Sequence, residues 1–255
     1  MRNVKSLLEH IEKFKDTVFI LGPEINKYKS NYSQEEYNNI YTRKNIIRKP
    51  EEAINFYLDK IMTKENDSDI YNKILSFPHS LIVDLNTNGP INKDIISLHG
   101  NINNYYCVKC KKNYTKDEFN SLKDNKYKCI ECNGQVRPSI IVSGENYNQL
   151  LFNQLKEAID KTHVLFLIGM DYSEQPILNL IADFGDKKAM HNAKAIDEEE
   201  KYLVVIQEDK EDFFDLNSIT FCEYLVKDKN IEDAIDRLIN SKGLLDKNDW
   251  FISKI

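Results

Sequence analysis

Residues 95–145 read IISLHGNINNYYCVKCKKNYTKDEFNSLKDNKYKCIECNGQVRPSIIVSGE, and four of the chain's five cysteines fall inside this stretch. They stand as Cys107-x2-Cys110 and Cys129-x2-Cys132, with eighteen residues between the pairs. A CxxC turn brings two thiolates to one side of a knuckle, and two knuckles complete the sulfur tetrahedron that Zn2+ takes at about 2.3 Å. Two other readings compete: disulfides, which a reducing compartment disfavours, and a redox dithiol, which needs no matched second pair. Four thiolates leave no open coordination position, so zinc held by Cys107, Cys110, Cys129 and Cys132 is expected to be structural. The insert is too poor in apolar residues to hold itself together, and metal is expected to supply much of its folding energy. Its seven lysines outnumber its four acids, as a solvated basic face requires.

On either side of this insert, short β-branched runs alternate with amphipathic helical patterns. Strands are predicted at Val18–Leu21, Ser80–Leu85, Ile95–Leu98, Ser139–Val142, His163–Ile168, Tyr202–Ile206 and Ile219–Leu225. Several are apolar on both faces, which suits parallel strands covered on both sides. Helices are predicted at Ser6–Phe14, Glu51–Ile61, Asp69–Leu75, Asn148–Ile159, Pro176–Phe184 and Ile231–Ile239, with Pro50 and Pro176 in first turns, where proline is tolerated. Residues 186–201 read as a loop or a frayed helix end. Cys222, on a predicted strand, reads as a buried apolar residue. The fold class is α/β: a Rossmann-like, doubly wound parallel sheet with a small inserted zinc ribbon and a mainly helical insert. The sheet domain is assigned residues 1–29, 77–104 and 136–255. The helical insert takes 30–76 and the ribbon 105–135.

A chain of 255 residues with 41% hydrophobic content can bury a sizeable core, which excludes wholesale disorder. Net charge is −6 and the pI is near 5.5, so neither nucleic acid nor an anionic membrane is an expected partner. No apolar run approaches the roughly 18–20 residues of a membrane span. Met1–Asp16 lacks the apolar segment and cleavage site of a secretory signal, so a cytoplasmic location is expected.

The run from Leu98-His99-Gly100 through the four cysteines to Arg137-Pro138, an apolar pair and Gly144-Glu145 resembles the sirtuin family. There a strand ends in Leu-His-Gly, a four-cysteine ribbon follows, and the chain returns as Arg-Pro, an apolar pair and Phe-Gly-Glu. The resemblance is specific over residues 95–145; elsewhere it lies in the placement of strands and helices. It implies an NAD-dependent protein-lysine deacylase, with NAD as cofactor and an acylated protein or peptide as partner. His99 matches the family's general base on a ribose hydroxyl. Independently, a histidine ending a parallel strand sits where α/β ligands bind, although a structural role is the commoner fate of such a residue. Val142, Gly144 and Glu145 match the strand that binds the acyl-lysine peptide by added backbone hydrogen bonds. Ser143 replaces the aromatic of that motif.

The cofactor positions implied by the resemblance depart from the family's pattern. After the first strand the family has Gly-Ala-Gly-Ile-Ser; here stand Gly22, Pro23, Glu24, Ile25 and Asn26. Pro23 deletes a backbone donor. Glu24 brings a negative charge to where a phosphate needs bare backbone, a repulsion of several kcal/mol at low effective dielectric. Tyr28-Lys29 stand in for the family's Phe-Arg pair only if a deletion is assumed. In place of Thr-Gln-Asn-x-Asp the chain offers Asp84, Leu85, Asn86, Thr87 and Asn88, of which Asp84, Asn86 and Asn88 are candidates to hold the nicotinamide amide. Gly169, Met170 and Asp171 replace Gly-Thr-Ser, and Gln207 replaces an asparagine.

Two functions from different classes follow. One is NAD-consuming chemistry: deacylation, ADP-ribosyl transfer or NAD hydrolysis. The other is a catalytically inactive binding module that keeps the fold after losing NAD. A bare zinc-ribbon nucleic-acid binder is disfavoured by the acidic whole and by only Tyr114 and Tyr127 near the middle of the insert.

Overall fold

The computed structural model describes residues 4–25, 33–61, 68–142, 144–170, 175–193, 200–208, 224–228 and 230–240. Six strands form one sheet: β1 (Val18–Leu21), β2 (Leu81–Asp84), β3 (Ile95–Ser97), β7 (Val164–Ile168), β8 (Tyr202–Glu208) and β9 (Tyr224–Asp228). Their order is β3-β2-β1-β7-β8-β9, and every pairing is parallel. The chain leaves β1 toward one edge, then returns across it to β7 and the other edge. This is the doubly wound order of dinucleotide folds, with its switch point between β1 and β7.

Alternation along the strands separates two faces. Phe19, Leu21, Ile82, Phe166, Ile168, Val204 and Ile206 face one layer, with Leu7 and Ile11 of α1 (Val4–Phe14), Ile70 and Ile74 of α5 (Ser68–Leu75) and Ile231, Ala234, Ile235 and Leu238 of α9 (Ile231–Asn240). Val18, Ile20, Val83, Leu165, Leu167, Leu203 and Val205 face the other, covered by α7 (Gln149–Lys161) and α8 (Gln175–Asn192). The central strands are thus buried on both sides, as their unbroken apolar runs require.

A second sheet of three antiparallel strands, order β5-β4-β6, contains β4 (Gly100–Cys107), β5 (Asn113–Tyr114) and β6 (Val136–Ile140). The run Ser139–Val142, read from the sequence among the strands suited to a parallel sheet, therefore belongs elsewhere. Its observed strand starts earlier, at Val136, and pairs with β4, whose Asn-rich sequence gave no strand signal. Tyr41, Ile54 and Tyr57 from α2 (Gln34–Ile40), α3 (Arg43–Arg48), α4 (Pro50–Phe56) and their flanks pack in one core with Tyr105, Phe119 and Val136. The helices of residues 33–61 and the cysteine insert, with its short α6 (Lys116–Ser121), therefore cover one another.

Among the helices, α8 runs beyond the predicted Phe184 to Asn192, so the first part of the stretch read as a loop or a frayed helix end is helical. Cys222 and most of residues 194–201 lie outside the described residues. No helix among the described residues is long and apolar enough to cross a membrane.

Candidate functional site

The two knuckles are built alike. In the first, Lys111 N–H donates to the Cys107 carbonyl at 3.0 Å and Cys107 N–H to the Lys112 carbonyl at 2.9 Å. In the second, Asn133 N–H donates to Cys129 at 2.9 Å and Cys129 N–H to Gly134 at 2.8 Å. Each turn closes through a left-handed residue, Lys111 at φ 64° and Asn133 at φ 58°. The four sulfurs all lie within 4.8 Å of one another, with Cys107–Cys132 at 3.4 Å and Cys110–Cys129 at 3.6 Å. A regular tetrahedron with bonds of about 2.3 Å has edges of about 3.8 Å, so this cluster fits zinc. The Tyr114 hydroxyl donates to Cys129 Sγ at 3.0 Å and pulls that thiol down to about 6. Gly134 has no room for a side chain: an added Cβ would lie 2.9 Å from Cys107 Sγ.

Because the large sheet is parallel, the segments after β1, β2, β3, β7 and β8 emerge at one edge. Gly22 follows β1 and Gly169 follows β7, and they meet at the switch point. An added Cβ on Gly22 would stand 2.3 Å from the Gly169 carbonyl oxygen. Gly169 itself adopts φ +62°, a left-handed conformation that glycine takes without strain. Met170 and Ile25 are buried beside them, Pro23 is exposed and Glu24 is half-buried. The Glu24 N–H donates to the Gly169 carbonyl at 3.0 Å, bonding one loop to the other.

Asp84 ends β2 fully buried. Its Oδ1 accepts from Asn86 N–H at 2.9 Å and Asn86 Nδ2 at 2.7 Å, and its Oδ2 accepts from Tyr71 OH at 2.9 Å. Burial pushes this carboxyl up to about 6 despite those bonds. Asn86 Nδ2 also donates to the Gly22 carbonyl at 2.9 Å, tying the β2 loop to the β1 loop. Asn88 is buried nearby in chain. Gln207, within β8, is fully buried, and neither atom of its amide has a hydrogen-bond partner among the described residues.

His99 stands just past β3, half-buried. Its Nδ1 lies 2.6 Å from the Leu85 carbonyl, and its ring stacks on Tyr147 at 5.6 Å and 11°. Tyr147 stacks in turn on Phe152 of α7. The His99 carbonyl accepts from Ile141 N–H at 2.9 Å, joining this strand end to the segment that carries Val142, Gly144 and Glu145. That segment is clamped from within. Arg137, 2% exposed, forks onto Glu145 at 2.7 and 3.0 Å, and Glu145 Oε2 also accepts from Val142 N–H at 3.1 Å. Gly144 adopts φ +87° with open space where a Cβ would point.

The structure thus places Gly22, Pro23, Glu24, Ile25, Asp84, Asn86, His99, Gly169, Met170 and Gln207 at the carboxyl edge of one sheet. Asn26, Tyr28, Lys29, Ser143 and Asp171 lie outside the described residues. Sequence reasoning missed Tyr71 and Tyr147. Helical periodicity sends Tyr71 inward but says nothing of its hydroxyl, and Tyr147 follows the recognisable motif by two residues in a stretch without periodicity.

Comparison with known proteins bears on the family and the fold. The Sir2 family model matches residues 27–176. An NAD-dependent protein deacetylase of Staphylococcus epidermidis is 26% identical over 170 residues, covering 62% of this chain and 68% of that protein. An NAD-dependent protein deacetylase of Thermotoga maritima is 36% identical over 93 residues, a stretch covering 34% of this chain and 37% of its own length. A solved structure of Sir2 bound to acetylated peptide superposes with a TM-score of 0.67 at 19% identity, covering 93% of this chain and 96% of that one. With more than half of its length matched by the family model, the chain belongs to the Sir2 family, the sirtuins.

Proposed function

We propose that this chain is an NAD-consuming protein-lysine deacylase with His99 as general base and an acylated peptide as substrate. The observation that carries this reading is the setting of His99 at the carboxyl edge of the sheet. A carbonyl oxygen can only accept, so the 2.6 Å contact with Leu85 puts a ring hydrogen on Nδ1, and in the neutral ring the lone pair then belongs to Nε2. A general base needs that tautomer. Tyr147 stacks on the ring and limits its rotation.

When bound, NAD supplies a ribose carbon whose bond to nicotinamide the acyl-lysine oxygen displaces. Gln207 fits such a ligand, since its buried donor and acceptor find no partner within the described protein. Glycines 22 and 169 keep the switch point free of side chains. In this reading Glu145 supports the peptide strand through Arg137, while the open face of Gly144 meets the peptide backbone. Cys107, Cys110, Cys129 and Cys132 hold structural zinc.

A second reading, a binding module that has lost NAD, draws on the bonds that the pocket's loops make to one another. The Glu24 N–H is spent on Gly169, and both hydrogens of the Asn86 amide go to Gly22 and Asp84. Nicotinamide release from NAD in the presence of an acetyl-lysine peptide separates the two. Wild type is expected to release it, and His99→Ala to lose at least about 100-fold in rate. No release by folded, zinc-loaded wild type would leave the second reading.

A further inference from the structure

β3 is an edge strand, and its open side borders two cavities that share Ile96 as a wall, one of about 980 Å³ and one of about 590 Å³. The larger reaches from β3 across to the first cysteine knuckle and α3. His99 is not part of its lining, although Leu98 and Gly100 on either side are; Ile141, Arg137 and Glu145, from the clamped segment described above, do line it, so the cavity adjoins that segment from outside the His99 setting. Two aliphatic side chains stand on its rim in water, Ile47 at 69% and Ile91 at 65% exposed. Large aliphatic groups kept exposed around one cleft mark a surface that something covers.

The charge around this cleft has one sign. Arg43 and Lys111 are exposed at its wall, and neither makes an ion pair among the described residues. Lys111 leans over the Tyr106 ring at 5.4 Å. The single carboxylate on the wall, Glu145, is taken by the buried Arg137. A cationic, aliphatic groove beside a strand edge that is unpaired among the described residues, on a protein of net charge −6, calls for an anionic occupant that can also pair backbone.

We propose that this groove docks an extended acidic segment of a partner protein, added alongside β3. Its aliphatic residues would lie against Ile47, Ile91 and Ile96, and its carboxylates would meet Arg43 and Lys111. Alternation in a strand sends successive side chains to opposite faces, so a segment alternating aliphatic and acidic residues suits the groove. This proposal stands independently of any NAD chemistry.

The test is fluorescence anisotropy with a labelled peptide of about ten residues alternating Val and Glu, against a Val/Lys peptide of equal length. Saturable binding of the Val/Glu peptide is expected, at least about tenfold tighter than the Val/Lys peptide, and weakening several-fold between about 50 and 500 mM salt. The double variant R43E/K111E, with zinc content unchanged, should lose at least about tenfold in affinity. Equal binding of both peptides, no saturation, or full affinity in R43E/K111E would overturn the proposal. A dimer of the chain that R43E/K111E dissolves would put a second copy in the groove, and overturn it too.

Discussion

Asp84 carries a buried carboxylate, and the cost of that charge is measurable. Its carboxyl is raised from 3.8 to about 6 by burial. Between those values the folded chain holds a proton that the unfolded chain has lost, so this group's contribution to stability falls as pH rises from about 4 to 6 and stays low above. Two pH units correspond to roughly 3 kcal/mol. Asp84→Asn keeps an acceptor for Asn86, and the Tyr71 hydroxyl can turn to accept. Urea titration should therefore find the variant more stable by roughly 1–3 kcal/mol at neutral pH, and flatter with pH across that window. Unchanged stability at neutral pH would mean that the carboxylate is already solvated or paired. His10 works in the opposite sense at the far end of the sheet. Burial and the neighbouring His163 lower it from 6.5 to about 4, while Asp16 and the Glu200 backbone oppose them. Its contribution is fully present above pH 6.5 and is lost as pH falls toward 4. His10→Phe should keep the packing on Phe14 and Tyr202 and remove roughly 2–3 kcal/mol of acid sensitivity. A variant that unfolds in acid just as wild type does would place the sensitivity elsewhere.

At the scale of elements, the cysteine knuckles were the most legible part of the chain, because ligand chemistry fixes spacing. Their backbone could not be read: nothing in Lys111 announces a left-handed residue. Metal analysis should find one zinc per chain in wild type and its loss in Cys129→Ser; equal zinc in both would refute the four-sulfur site. Removing the hydroxyl that donates to Cys129, as in Tyr114→Phe, should weaken zinc about tenfold in a chelator competition, the usual effect of an outer partner. Among the helices, α2 and α6 carried a usable signal that periodicity alone does not weigh. Ser33 with Glu36 and Thr115 with Glu118 form capping boxes, each with reciprocal bonds. The strand β4 carried none. Its Asn-rich sequence breaks alternation, and its register shifts between Asn101 and Tyr105. The partner that makes it a strand, β6, lies beyond the entire ribbon, a pairing that no local window contains.

For the whole molecule, the parallel sheet was readable because double burial imposes unbroken apolar runs on β1, β7 and β8. The gathering of Gly22, Asp84, His99, Gly169 and Gln207 at one edge follows from parallel topology, not from spacing; strand patterning anticipated it for His99, and the resemblance to sirtuins for the rest. The internal bonds at that edge were invisible in sequence, since each joins loops far apart in the chain. They frame the central question, which is whether a pocket bonded to itself opens for a dinucleotide. The Gln207 amide, buried without a hydrogen-bond partner among the described residues, argues that it does.

Thermal unfolding of the zinc-loaded chain with rising NAD addresses this directly. A ligand at 100 times its Kd should stabilise the fold by about 2.7 kcal/mol, and Gln207→Leu should abolish most of that gain while leaving the free protein folded. A midpoint that does not move at millimolar NAD would contradict the account.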